Sequence, residues 1–428
     1  MKKFLFLLFI FSTTTFAQLT WSPITTIPTD TNGQRYDDVF FLNENLGWAI
    51  KGYYSSLYKT TDGGLTWIEQ IPNGGLGGYY YFRNVEFIDE NIGFIGTLSS
   101  KFYKTIDGGT TWNLVTNISP NPQAICGMDA VGTSTIYGCG AYFSPAYIIK
   151  SVDSGTTWQY INMSAYADAL VEVLFIDENT GFASGNNAIG SIIIKTTDGG
   201  INWTNLYQGN IAGQYVWKLQ ILANTSNNTI FGSVESIAPV PNTTQIPGRM
   251  VKSVDGGLNW ISKDVPDPDV QAIGFVDENH GWIGGHNTGF YETLDGGDTW
   301  TNLSVGSNLN RILFLNDNLA YACGTTIYKM TNSLYNTSFQ EQNRLPLNVR
   351  IAPNPIKDKL NVEIDFRAND NLLLGLYSQS GQLIKILKKD LISNQGTKFY
   401  SFDFPYASGI YILNLHTNTG RQSVKIIK

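Results

Sequence analysis

Lys59-Thr60-Thr61-Asp62-Gly63-Gly64-Leu65-Thr66-Trp67 is the stretch to which the chain keeps returning. It recurs as Asp107-Gly108-Gly109-Thr110-Thr111-Trp112, Asp153-Ser154-Gly155-Thr156-Thr157-Trp158, Asp198-Gly199-Gly200-Ile201-Asn202-Trp203, Asp255-Gly256-Gly257-Leu258-Asn259-Trp260 and Asp295-Gly296-Gly297-Asp298-Thr299-Trp300. Successive aspartates stand 45, 46, 45, 57 and 40 residues apart. A period of this size signals one supersecondary unit repeated in a stack or around a ring. In such a turn the carboxylate accepts hydrogen bonds from the turn's own amides, and the glycines permit the tight backbone.

Each period carries a second motif upstream: Phe41-Leu42-Asn43-Glu44-Asn45-Leu46-Gly47-Trp48, Phe87 to Phe94, Phe175 to Phe182 and Phe275 to Trp282. Weaker copies lie near Met128, Leu222 and Phe314. Apolar residues flank an Asp-Glu-Asn-x-Gly turn, read as a hairpin in which Asx side chains bond nearby amides and Gly or Asn accepts positive φ. A third strand then runs into the Asp-Gly-Gly turn and a fourth leaves it through Trp. Four short strands per period describe a β-propeller blade.

The slot before the turn holds Lys59, Lys104, Lys150, Lys195, Lys252, Glu292 and Lys329, which predicts seven blades. The last, Asn310 to Thr331, lacks a fourth strand. Leu19-Thr20-Trp21-Ser22-Pro23-Ile24 matches Leu65-Thr66-Trp67-Ile68 and is expected to supply it, burying Trp21 beside the last blade and closing the ring. The expected fold is all-β: a seven-bladed propeller over 18–334, a linker at 335–346 and a small Ig-like sandwich over 347–428.

Composition bounds the rest. Lys2 and Lys3, the apolar run Phe4 to Phe11 and Thr15-Phe16-Ala17 read as a signal peptide over 1–17. No later stretch approaches the roughly 20 apolar residues of a membrane helix. Cys126, Cys139 and Cys323 offer no disulfide framework. Residues 18–344 hold 15 Lys+Arg against 29 Asp+Glu, net −14, whereas 345–428 carry net +5. An acidic body disfavours nucleic acid and anionic membrane as partners. A monomer is expected.

The Ser/Thr-x-Asp-x-Gly-x-Thr-Trp box resembles the Asp-box, or bacterial neuraminidase repeat, of sialidases and sortilin-type receptors. Paired with the Phe-x-Asp-Glu-Asn-x-Gly-Trp turn, it is most similar to the photosystem II stability/assembly factor family over Gln18 to Asn332. The resemblance implies a propeller whose box aspartates, Asp62, Asp107, Asp153, Asp198, Asp255 and Asp295, are structural. It is a likeness of fold, not of task.

Beyond Asn332 the period stops. Leu360, Val362, Ile364 and Phe366 alternate, Ser378 to Gln382 form a turn, and Gly409 to Leu413 and Ser423 to Ile427 are closing strands. The Pro353-Asn354-Pro355 start, the Leu-x-Val-x-Ile strand, Gly409-Ile410-Tyr411 and the lysine-rich end resemble the type IX secretion sorting domain. That resemblance implies the type IX machinery as a partner and a secreted or outer-surface location.

Propellers gather their sites where innermost strands start and the loops between blades meet. Asp37, Asp38, Arg83, Glu172, Lys218, Gln271 and Arg311 fall there, and Tyr80, Tyr142 and Trp217 stand in adjoining aromatic-rich loops. These are the candidate ligand-binding residues, suited to an extracellular protein or polysaccharide. An Arg-Ile-Pro signature and an HExxH motif are missing. No catalytic set, metal or cofactor is expected, and the alternative is an extracellular glycoside hydrolase or lyase, which needs two carboxylates at a defined separation.

Overall fold

The computed structural model describes residues 19–140, 145–222, 228–236, 246–332, 348–366, 370–378, 383–392, 395–417 and 420–428. The leader over 1–17, the linker over 335–346 and Tyr142 lie outside them. The described residues are all-β.

Over 19–332 they form seven four-stranded antiparallel sheets, here blades 1 to 7. Their innermost strands are Tyr36–Phe41, Phe82–Phe87, Gly127–Val131, Ala169–Phe175, Gln214–Leu222, Val270–Phe275 and Arg311–Asn316. Each touches the next, and the seventh touches the first, so the sheets close into a propeller. In blade 7 the outer strand is Leu19–Pro23, hydrogen-bonded to Ile327–Asn332 with Trp21 opposite Met330. Trp21 is 4% exposed. Its indole stacks on Phe290 at 4.3 Å and meets Trp282 edge-on at 5.9 Å. The two ends of the repeat thus close the ring through one β-ladder, as the sequence predicts.

The Asp-Gly-Gly turn has one geometry in all six copies. In blade 1 the Thr60 hydroxyl donates to Asp62 Oδ1 at 2.8 Å and accepts from the Gly64 amide at 2.9 Å, while Thr66 donates its amide to Oδ1 and its hydroxyl to Oδ2. Asn202 and Asn259 replace that threonine with a side-chain amide. Bonds from the residue four positions on, Thr111, Asn202 and Asn259, hold Asp107, Asp198 and Asp255 down at about 2. Both glycines take positive φ, 69° and 86° at Gly63 and Gly64, and in the third copy Ser154 adopts 56° in place of the first.

The second motif is built differently from the expectation. Asn43, Asp89, Asp177 and Asp277 do accept from the amides two and three residues on. Positive φ is not what selects glycine at 47, 93, 181 and 281, none of which adopts it. A Cβ there would sit 2.3–2.5 Å from the ring of Phe41, Phe87, Phe175 or Phe275. The aromatic that ends each of these inner strands lies flat on the glycine, and that contact excludes any side chain.

The two motifs co-occur because they bond to each other. The first glycine amide of the Asp-Gly-Gly turn donates to the Asn carbonyl of the hairpin: Gly63 to Asn45, Gly108 to Asn91, Gly199 to Asn179 and Gly296 to Asn279, at 2.8–2.9 Å. The slot lysine then joins neighbouring blades. Lys59, Lys150 and Lys329 donate to the Gly108, Gly199 and Gly63 carbonyls of the following blade at 2.8–2.9 Å, each lying over an aromatic of its own blade. Trp48 on Phe87, Tyr137 on Phe175, Phe231 on Phe275 and Tyr321 on Phe41 stack at 3.5–3.9 Å across the same seams. Blade 6 breaks the pattern at Glu292, which instead meets His280 Nε2 at 2.9 Å.

The described residues within 348–428 form a three-stranded and a four-stranded antiparallel sheet packed on one core. Leu360, Val362, Ile364 and Phe366 face a core with Leu374, Leu376, Leu413, Leu415 and Ile426, as their alternation predicts. Asn354 pins the last strand, donating to the Lys425 carbonyl and accepting from the Ile427 amide.

Candidate functional site

Because strands alternate in direction, both repeated turns lie at the end of the ring where each innermost strand finishes. The opposite end, where these strands begin, is the channel mouth. Five inner strands carry a register shift close to their start, across Tyr36/Asp38, Phe82/Asn84, Leu170/Glu172, Val216/Lys218 and Val270/Ala272. The bulged residues are therefore Asp37, Arg83, Val171, Trp217 and Gln271. A bulge re-aims one side chain without disturbing the rest of its strand, and here it delivers one residue from each of these five blades to the mouth.

These side chains reach across the channel. Asp37 Oδ1 takes Arg83 Nη1 at 3.2 Å, Arg35 Nε at 3.4 Å and the Tyr81 hydroxyl at 3.2 Å, while Oδ2 takes the Gly52 amide at 3.1 Å. Arg35 extends from blade 1 to Gln271 Oε1 of blade 6 at 2.8 Å, and Gln271 Nε2 donates to both Glu235 oxygens. Arg83 of blade 2 donates to Asn310 Oδ1 of blade 7, and its guanidinium lies 5.2 Å over the Trp217 ring of blade 5. Asn310 in turn donates to the Asp37 carbonyl. Trp217 completes an apolar half with Ala124, Cys126 and Val171. The mouth is thus floored by a plug, half charged and half apolar, whose charged members are all buried. His286 stands at its rim, 3.9 Å from Glu235.

The other candidates lie one position further along their strands and bridge adjacent blades. Arg311 pairs with Asp38 at 2.8 Å, and Lys218 pairs with Glu172. Asp38 also takes the Val85 amide of blade 2 at 3.0 Å. Further in, Glu86 accepts from Ala130 and Asp129 from Phe175, again across a seam. Tyr80 is placed elsewhere: its ring packs towards Tyr103 at 6.3 Å, under Lys101, and Tyr81 is the tyrosine that reaches Asp37. Tyr142 lies outside the described residues. Arg35, Glu235 and Asn310 belong to the plug although they were not among the sequence candidates. Two of them precede an inner strand at the position just before its apolar core, which is the signal that marks them. Cys139 and Cys323 are buried in strand-2 positions, and burial pushes the Cys323 thiol up to about 12.

Electrostatics divides the buried acids. Burial pushes Asp129 and Glu235 each up to about 7, and burial with Asp129 alongside pushes Glu86 well above the carboxylate range. At the rim, partial desolvation together with Arg35 and Arg83 lowers the pKa of His286. Folded carboxyls with raised pKa bind protons that the unfolded chain releases, so stability falls as pH rises from about 4 through about 7. The turn aspartates, held below the usual carboxylate range by their turn hydrogen bonds, act oppositely and lose their contribution below pH 4. We expect the propeller to be most stable near pH 4. Asp129→Asn should raise the unfolding free energy at pH 8 by on the order of 2 kcal/mol and do little at pH 4; equal effects at both pH values would contradict the assignment.

Comparison with known proteins is consistent with this architecture. The tail, residues 350–428, matches the secretion system C-terminal sorting domain. The chain carries a type IX sorting domain. It is therefore a protein handled by that system and delivered to the cell surface or the extracellular space. No curated protein matches the chain. Among solved structures, the chain is similar to YCF48 bound to D1 peptide, at 20% identity and a TM-score of 0.54, over 73% of this chain and 96% of that one. It is also similar to YCF48 from Cyanidioschyzon merolae, at 18% identity and a TM-score of 0.54, over 73% and 98%. At such identity the likeness is one of fold. No described helix is long and apolar enough to cross a membrane.

Proposed function

We propose that this is an exported propeller that binds a stretch of extracellular polypeptide over its channel mouth. The observation that carries the proposal is the plug. All seven blades contribute unrepeated side chains to one floor, whereas the repeated turns lie at the other end of the ring. A floor that is half charged and amide, half apolar suits a polypeptide, which presents both kinds of surface within a few residues. A sugar would need an open aromatic platform, and Trp217, 7% exposed, is covered by Arg83. A peptide-bound YCF48 among the similar folds supports the same direction.

Panning a random-peptide display library on the full chain tests this. Selected peptides should lose about tenfold or more in affinity on His286→Ala, a change at the rim of the plug. They should be indifferent to Leu258→Ser on the turn face, where Leu258 is 83% exposed. Peptides that reverse this pattern, or a library yielding none, would overturn the proposal.

One observation favours the hydrolase alternative: a carboxyl held protonated near neutral pH, as at Glu86 and Asp129, is what a general acid requires. Glu86 is 5% exposed and lies beneath the plug, away from any polymer. Turnover of soluble polysaccharides that vanishes on Glu86→Gln would establish that alternative.

A further inference from the structure

Blade 1 carries a cavity of about 300 Å³ that shares no lining residue with the mouth. It lies between the loop that follows the N-terminal strand and the outer part of blade 1, and Asp30, Asn32, Lys51, Tyr54, Tyr58 and Glu69 contribute its chemistry. The loop is fixed by its own bonds. Asp30 donates its amide to the Thr325 carbonyl, and its Oδ1 accepts from the Asn32 and Gln34 amides at 2.8 and 3.1 Å. Asn32 Nδ2 donates to the Tyr54 hydroxyl at 3.1 Å, and the Tyr58 hydroxyl donates to Glu69 Oε1 at 2.9 Å.

Lys51 is the group that these bonds do not explain. Its side chain is 9% exposed, and its ammonium lies 4.9 Å from the Tyr36 ring centre and 5.6 Å from that of Tyr54. Asp30 Oδ2 stands 3.7 Å away, close enough to neutralise the charge but beyond a hydrogen bond. An ammonium has three donors, and a buried one needs acceptors. In this cavity those donors, two carboxylates and two tyrosine hydroxyls border the same small space.

We propose that this cavity binds one neutral sugar residue of a glycan. An anionic ligand would meet Asp30 and Glu69, and a cationic one would meet Lys51. Hydroxyl groups both donate and accept, so vicinal hydroxyls match a wall on which an ammonium and carboxylates alternate. The volume is at the small end for ligand sites, enough for one ring and too little for an extended chain. Tyrosine rings beside it supply apolar faces for the C–H surface of a pyranose. This would be a second site, on the flank of the ring, beside the polypeptide site proposed for the mouth.

Titration of the full chain with methyl glucosides, galactosides and mannosides tests this, with glucuronate and glycine betaine as anionic and zwitterionic controls. At least one methyl glycoside should bind more tightly than either control. Lys51→Met should weaken it by about tenfold or more, and His286→Ala at the mouth should leave it unchanged. If Lys51→Met does not fold, Asn32→Ala, which removes a lining amide and the bond that positions the Tyr54 hydroxyl, must also weaken binding. Preference for either control, loss of binding on His286→Ala, or no glycoside binding at all would overturn the proposal.

Discussion

Trp21→Ala is expected to destabilise the propeller by about 3–5 kcal/mol, the cost of deleting a large buried aromatic that its surroundings cannot refill. The indole stacks on Phe290 and abuts Trp282, both fully buried, so its loss opens a hole between blades 6 and 7. It also loosens the one ladder that joins the two ends of the repeat. Urea denaturation of the full chain, followed by tryptophan fluorescence, measures the effect. A loss below about 1 kcal/mol would mean that the ring does not depend on this strand.

Asp37→Ala should cost a similar amount, about 3–5 kcal/mol, by a different mechanism. Removing one partner of a buried ion pair leaves the other charge unpaired in a poorly solvated place. Here two guanidiniums, Arg35 and Arg83, lose their carboxylate, and the Tyr81 hydroxyl and Gly52 amide lose an acceptor. Asp37→Asn keeps an acceptor in position and should retain part of the stability. Far-UV circular dichroism against urea for both variants decides it. An alanine variant as stable as the parent would show that the plug is not held by Asp37.

How much of this was legible in the sequence follows from what repetition encodes. Six copies of one turn fix both its local geometry and its spacing, so the ring, its closure at Trp21 and the structural role of Asp62 and its counterparts are all readable from residues. Gly47 shows the limit within the repeat. Its presence was legible but its cause was not, because the contact that requires it is with the Phe41 ring rather than with its own backbone. The mouth is less legible for a specific reason. A β-bulge slips the strand by one residue and reverses which neighbour faces inward. Period-two alternation cannot tell Asp37, which joins the plug, from Asp38, which faces Arg311. The same one-residue ambiguity separates Tyr80, packed towards Tyr103, from Tyr81 on Asp37. Glu235 was invisible for another reason, since it reaches the mouth from the end of a second strand in blade 5.

The consequence for function is a division of labour between the two ends of the ring. One end is repeated, hydrogen-bonded within itself and across seams, and its aspartates are committed to their own turns. The other is unrepeated and draws one or two side chains from each of several blades. Export by the sorting domain places whatever that end recognises outside the cell.

Hydrogen–deuterium exchange on the full chain, with and without a peptide selected by panning, tests this division most directly. The account predicts added protection at residues 35–38, 52–54, 81–84 and 285–288 around the mouth, and none at the Asp-Gly-Gly turns. Protection concentrated at residues 62–67, 107–112 and 255–260 would contradict it and return the repeated turns to the binding site.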